Sequence, residues 1–600
     1  MKRSYDSISL DVGYTFEDVF RLYYKRVRFF AYQMLHDIDL AEDVVQEAFI
    51  VYWKERKGLS THDKVVKSFL YSTVKFIALR HIRHQKVIES HFLNSPFSDL
   101  QEEQITENMI RAEVVKEIHV ALGALPKSCR EIFRLGYFEG YTNSKIADVL
   151  DISINTVKTQ KRRGFKIFIW LKYHKGTARV PGGPGWPGAN QAYLNDFSID
   201  IDAEVAFFLK EAMESARIVA DQVPLYNDYP SMFNSVSLTA VPEVLLWRQY
   251  NSNLTPTVNH FTVGYIQRNG GGNSGFTRSM VESFLMENGL PVYAGQSGYR
   301  GDENYEDVFF ERDPRLGFNV LKTGDLLTTN AVLTEYIADG NKGFFYRPPL
   351  TASDENRSTT GYSVKKGLST DPAQGPTLPS VTASVVFRAA EAYLNYMEAD
   401  YELDGALDNN SDKYWKAIRE RAGMNTDYNL TVQATDLSQE LDLARYSGPT
   451  LVSPMLYNIR RERRIEFAAE GLRFRDLKRW RALDQMKQYI VQGFDLWSEH
   501  YLMYSHPANN LTKIELKERG QANPNVSSKA DSKYLLPFRI NPNNLAFNGY
   551  NWNQNKYLEP IAFDHFRLTT EEPGSSDYLS SSIYQNPGWK IETSSLPEGD

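Results

Sequence analysis

Apolar positions recur at three- and four-residue steps over residues 16–34, where Phe16, Val19, Phe20, Tyr23, Val27, Phe30, Ala31 and Met34 form one stripe. That spacing predicts an amphipathic helix buried along one face. A second helix is predicted from about Leu40 to Lys57, burying Val44, Val45, Ala48, Phe49 and Tyr52, and an aromatic, basic third begins near Val66. Residues 96–108 are polar and read as a linker, after which helices resume from Met109 to Leu122 and continue to about Lys172. The segment GTARVPGGPGWPGAN, residues 176–190, holds five Gly and three Pro, which suits neither helix nor strand, so it marks the clearest boundary. Beyond it long irregular stretches, 250–380 and 500–600, separate helices near 202–222, 384–404, 411–422 and 455–490. Paired helices of this kind suit a degenerate helical-hairpin repeat.

Within residues 142–165, Ile146, Ala147, Leu150, Ile152 and Val157 form the inward face of two short helices. Ala147 permits close crossing, Asp151 suits the turn, and Ser153 or Asn155 can cap the second helix. From that cap Asn155, Lys158, Thr159, Arg162, Arg163 and Lys166 fall on one exposed face. Arg and Lys reach guanine edges or phosphates, and Asn and Thr suit adenine edges and the backbone, so the pattern reads as a helix-turn-helix for a DNA major groove. An ordinary basic surface helix is the competing reading.

Composition sharpens the division. At 600 residues and 42% apolar the chain can bury several cores. Its net charge of −7 divides into +6 over residues 1–175 and −13 over the rest, which places a polyanion-binding surface at the front. Cys129 is the single cysteine, so no disulfide framework and no Cys-based metal site is expected. The leading residues lack an apolar core and cleavage site, and no stretch approaches the roughly 20 apolar residues of a membrane span. A cytoplasmic chain without a signal peptide, lipid-anchor cysteine or transmembrane segment is the expectation.

Two front motifs resemble a known family. DIDLAEDVVQEAFIVYWKER (37–56) is similar to region two of the extracytoplasmic-function (ECF) sigma factors, and LPKSCREIFRLGYFEGYTNSKIA followed by ISINTVKTQKRRGF (125–165) resembles their region four. The resemblance implies a region-two bundle over 14–95, the linker, and a region-four helix-turn-helix over 109–173. It implies that Asp43, Gln46, Glu47 and Ile50 dock on RNA polymerase, although a plain solvated face is the alternative. It implies further that Lys75, Arg80, Arg83 and Lys86 hold promoter phosphates, with Phe69, Tyr71 and Phe76 as candidates to stack on flipped bases. Core packing competes for each aromatic, at even weight or better for Phe69 and Phe76. Core RNA polymerase, promoter DNA and an anti-sigma factor are the implied partners.

In NIRRERRIEFAAEGLRFRDLKRW (458–480), Glu462 and Glu466 lie one turn apart among Arg460, Arg463 and Arg464. Gly471 fits a helix stop, and a second helix is predicted to turn Phe474, Leu477 and Trp480 inward, giving a salt-bridged structural hairpin rather than a ligand site. The same words, with SVVFRAAEAYLNYMEADYELDG (384–405), SMVESFLMENGLP (279–291), ERDPRL (311–316), KYLLPFRINPNNL (533–545) and YQNPGW (584–589), resemble the SusD/RagB family of outer-membrane nutrient-uptake lipoproteins. That resemblance implies a helical, tetratricopeptide-like domain with long irregular loops over 200–600, joined to the sigma part through residues 174–199, so the whole chain is mainly α. It implies oligosaccharide and a TonB-dependent, SusC-like barrel as partners, with Trp247, Tyr265, Tyr299 and Trp497 as loop candidates for glycan contact. Because the likeness starts near Ala203, roughly the first third of that fold is expected to be missing, with exposed apolar faces left behind.

No catalytic arrangement emerges. The Gly270–Gly272 run lacks the context and lysine of a phosphate loop, and DNNSDK (408–413) lacks the calcium-loop glycine and reads as a polar turn. No enzyme, cofactor or metal is expected. The sequence therefore supports an ECF-type sigma factor fused to a truncated SusD-like glycan-binding module. The alternative is an outer-membrane glycan-capture protein whose front was replaced by a sigma factor through gene fusion or misassembly.

Overall fold

The structure is a computed structural model. It describes residues 16–35, 38–56, 66, 69–78, 80–81 and 169–180, then 200–251, 274–322, 348–351, 357–369, 380–505, 514–570 and 583–592, with short stretches between these. The chain forms two compact units, one holding 1–163 with 188–200 and the other 164–187 with 201–600.

In the first unit α1 (Phe16–Leu35) lies against α2 (Ile38–Glu55). A third helix, α3, covers 69–78 and continues at 80–81. Their shared core takes Val19, Tyr23, Val27 and Phe30 from α1, Val44, Val45, Ala48, Phe49 and Tyr52 from α2, and Leu70, Tyr71, Val74 and Ile77 from α3. The three- and four-residue spacing on each helix is what brings these side chains to one side.

The second unit begins earlier than composition indicated. Helix α4, 169–174, is part of its core, with Ile169 and His174 fully buried. Lys172 donates to the Glu402 carboxylate at 2.6 Å and Tyr173 to its other oxygen at 2.5 Å. The Gly at the head of the Gly/Pro run, Gly176, adopts φ +75° just past this helix, so it ends the helix rather than opening a linker.

Helix α5 (Ile201–Gln222) packs along α6 (Ala390–Asp404), which is buried at twelve of its fifteen positions and forms the centre of the unit. Helices α7 (Asn409–Arg421) and α8 (Pro454–Glu466) flank it, and α9 (Arg473–Arg479) follows. The helix read over 384–404 divides: its β-branched start, Ser384–Arg388, is strand β2, paired antiparallel with β1 (Val244–Arg248). The helix read over 455–490 breaks into α8, α9 and a short 3-10 turn. Among the described residues the sheets are three two-stranded ribbons, so the chain is mainly α as expected. A second core, around Tyr305, Tyr362, Phe494 and Tyr504, holds the irregular segments together. Exposed apolar side chains occur on α5 (Phe207, Ile218) and on the β1–β2 ribbon (Leu246, Val386).

Candidate binding surfaces and a buried ion network

On α2 the residues that alternate with the core stripe face outward. Asp43 and Gln46 are exposed, Glu47 is partly so, and Ile50 is 55% exposed. Ile50 is thus an open apolar side chain beside three polar ones. One turn further Trp53 is 48% exposed, with the Arg56 guanidinium 3.2 Å over its ring. Sequence reasoning passed over Trp53, although its three-residue step from Ile50 places it on the same face.

Helix α3 divides its aromatics between core and solvent. Tyr71 is fully buried against Phe30, with ring centroids 5.2 Å apart, and so is closed to a base, while Phe69 is partly buried on the same core. Phe76 is 68% exposed, with Lys75 and Arg80 on the same helix. Arg80 Nη2 donates to both carboxylate oxygens of Glu47, at 2.7 and 2.8 Å. Asn155, Lys158, Thr159, Arg162, Arg163 and Lys166, together with Arg83, Lys86 and Tyr265, lie outside the described residues.

Of the remaining aromatic candidates, Trp247 sits on strand β1 rather than in a loop and packs against the cluster that holds Tyr229 and Met232. Tyr299 is half-buried with the Arg312 guanidinium 5.1 Å from its ring, and burial raises its phenol pKa. Trp497 packs against the irregular core, and its buried Nε1 has no acceptor among the described residues. The Trp497 main-chain N–H donates to the Lys533 carbonyl at 3.1 Å. Trp247 belongs to a different cluster.

The Arg/Glu-rich hairpin is internal. Glu466 on α8 accepts from Arg315 Nη1 at 3.0 Å, from Arg388 Nη1 at 2.5 Å and from Arg421. Arg388 also reaches Glu243 and Glu470, and Arg315 reaches Asp313 and Glu462. Burial disfavours the Glu466 carboxylate, but Arg421, Arg388 and Arg315 outweigh it and hold the group well below the usual carboxylate range. Leu477 and Trp480 turn inward as predicted; Phe474 is 52% exposed instead, in the first turn of α9. Asp408 caps α7 through Ser411 N–H, which makes DNNSDK a helix start. Among the described residues no group of three metal-capable side chains assembles.

The SusD family profile matches residues 245–589, more than half of the chain. The chain belongs to the SusD family. Ahead of that match, Sigma-70 region 2 covers residues 19–87 and Sigma-70 region 4 covers 116–167. The front part is similar to the ECF RNA polymerase sigma factor SigX of Bacillus subtilis, 27% identical over 161 residues, 26% of this chain and 81% of that one. It is also similar to SigW of the same organism, 22% identical over 158 residues, 25% of this chain and 84% of that one. Solved structures similar to the chain include a SusD-like carbohydrate binding protein from Bacteroides fragilis, 17% identical with a TM-score of 0.34, covering 75% of this chain and 80% of that one. Another SusD-like protein of that organism is 17% identical with a TM-score of 0.37, covering 84% of this chain and 99% of that one.

This SusD-family chain thus carries both sigma-70 regions in front, in the order that the motifs gave. Residues 142–165, whose sequence reads as a helix-turn-helix, fall inside the region 4 match. That match ends two residues before Ile169, which is buried in the SusD-like unit. Among the described residues no helix is long and apolar enough to cross a membrane.

Proposed function

We propose that the chain is an ECF-type sigma factor that directs core RNA polymerase to promoter DNA and carries a SusD-like module able to bind glycan. The observation that carries this reading is the open α2 face, Asp43, Gln46, Glu47 and Ile50, inside the Sigma-70 region 2 match. A bundle that leaves Ile50 uncovered while burying its neighbours presents a partner surface, and exposed Phe76 beside Lys75 and Arg80 offers stacking and phosphate contacts. Asn155, Lys158, Thr159, Arg162, Arg163 and Lys166 supply duplex reading on this account, and Arg83 adds a phosphate contact. No chemistry is asked of the chain: it acts by binding, in the compartment where polymerase works, under an anti-sigma partner. The test is transcription: purified full chain added to core polymerase should yield initiation from a cognate promoter, and failure to bind core at moderate salt sinks the proposal.

The rear module supports a second reading, glycan capture at the outer membrane with a SusC-like barrel, favoured by the extent of the family match. Trp247, Tyr265, Tyr299 and Trp497 are the candidate contacts on this reading. Retention of the chain by immobilised oligosaccharide, lost in Trp497→Ala, supports that role; no retention by any neutral glycan argues against it.

A further inference from the structure

We propose that the Glu47 carboxylate holds Arg80 away from DNA phosphate until polymerase engages Glu47, so that the two residues couple partner binding to promoter contact. The inference rests on the sigma-factor reading above. Its basis is the ion pair between α2 and α3, residues 33 apart in sequence and both at the surface, with side chains 55% (Arg80) and 40% (Glu47) exposed. One guanidinium nitrogen serves both carboxylate oxygens; among the described residues Nε and Nη1 of Arg80 make no hydrogen bond. Arg80 is therefore oriented by Glu47 yet keeps donors facing water. A phosphate and a carboxylate are rival acceptors for one guanidinium, since each is an anion that its N–H donors can bind.

The neighbourhood gives the pair its direction. Glu47 shares the α2 face with Asp43, Gln46 and Ile50, so a basic partner seated there competes for its carboxylate. Arg80 shares α3 with Lys75 and exposed Phe76, the residues placed to meet a melted strand. Each member of the pair thus belongs to one of the two binding faces. Seating polymerase on the first frees the cation on the second. An exposed pair of this kind shifts an equilibrium only about two- to fivefold, so the device biases the order of assembly and does not lock it.

The test uses the full chain with fluorescein-labelled single-stranded DNA of mixed sequence, read by anisotropy over a salt series. A single strand keeps duplex reading by region four small. Glu47→Gln is expected to tighten binding about two- to fivefold and to steepen the slope of log K against log salt by about 0.7, the signature of one added phosphate contact. In an Arg80→Gln background both effects should vanish, and at saturating core polymerase wild type and Glu47→Gln should converge. An equal gain in the Arg80→Gln background, reflecting only the loss of a negative charge, overturns the proposal. So does an unchanged salt slope, or weaker binding by Glu47→Gln. If wild type binds neither DNA nor core polymerase, the sigma-factor reading falls and takes this inference with it. DNA binding with no effect of Glu47→Gln leaves that reading standing and removes only the coupling.

Discussion

Replacing Glu466 by alanine removes one carboxylate from three buried guanidiniums at once. Glu466 is fully buried and bonds Arg315, Arg388 and Arg421. The variant does not leave them bare: Arg315 keeps Asp313 and Glu462, Arg388 keeps Glu243 and Glu470, and Arg421 keeps Glu243. Breaking a buried pair by removing one partner costs about 3–5 kcal/mol, and the remaining carboxylates place this case near about 3 kcal/mol. Urea unfolding of the full chain followed by tryptophan fluorescence is the assay, because eight of the nine tryptophans lie in the second unit. Glu466→Gln, which keeps one acceptor oxygen, should lose less, and Glu214→Ala on the exposed side of α5 should stay within about 0.5 kcal/mol. The sign with pH follows from the depressed carboxyl of Glu466. Its contribution is full above the unfolded-state value of about 4.3 and fades only below it, so the deficit of the alanine variant should be constant from neutral pH down to about 5. A loss below about 1 kcal/mol for Glu466→Ala refutes the reasoning and implies that the network is open to water.

Other perturbations reach other parts of the account. Ile169→Ala should destabilise the second unit by about 2–4 kcal/mol in the same urea assay if α4 belongs to its core, and no loss would return that segment to the front part. Burial pushes His500 down to about 4, against the opposing pull of Asp495 and Asp302, and pushes His174 down to about 3. Both are held neutral, so the unfolded chain takes up their protons first and stability is lost as pH falls from about 6.5 toward 4. A urea midpoint that stays flat across that window contradicts this. Ile50→Glu should weaken core polymerase binding at least about tenfold, as loss of a buried anchor does, and leave amide-exchange protection of α1 and α2 unchanged because the side chain is exposed. Wild-type binding by that variant excludes α2 as the docking face.

Much of the fold was legible because local spacing carries it. Period alone picks out the α2 core residues Val44, Val45, Ala48, Phe49 and Tyr52, and all are buried. Orientation was harder where a helix is rich in aromatics: on α3 the pattern does not say whether Tyr71 or Phe76 faces the core, and only packing against Phe30 decides it. The role of Gly176 is not legible, because a glycine there suits a linker or a helix stop, and contacts of the preceding helix with Glu402 choose the second. The hairpin was readable as salt-bridged, but its partners were not. Glu466 meets Arg388 across 78 residues and Arg315 across 151, separations that no local pattern encodes.

Co-elution of the full chain with core RNA polymerase, compared between wild type and Ile50→Glu, tests the central claim most directly. The account predicts a stable complex for wild type that the substitution abolishes while folding is retained. A wild-type chain whose α1 and α2 amides are protected from exchange, yet which elutes apart from polymerase, contradicts it.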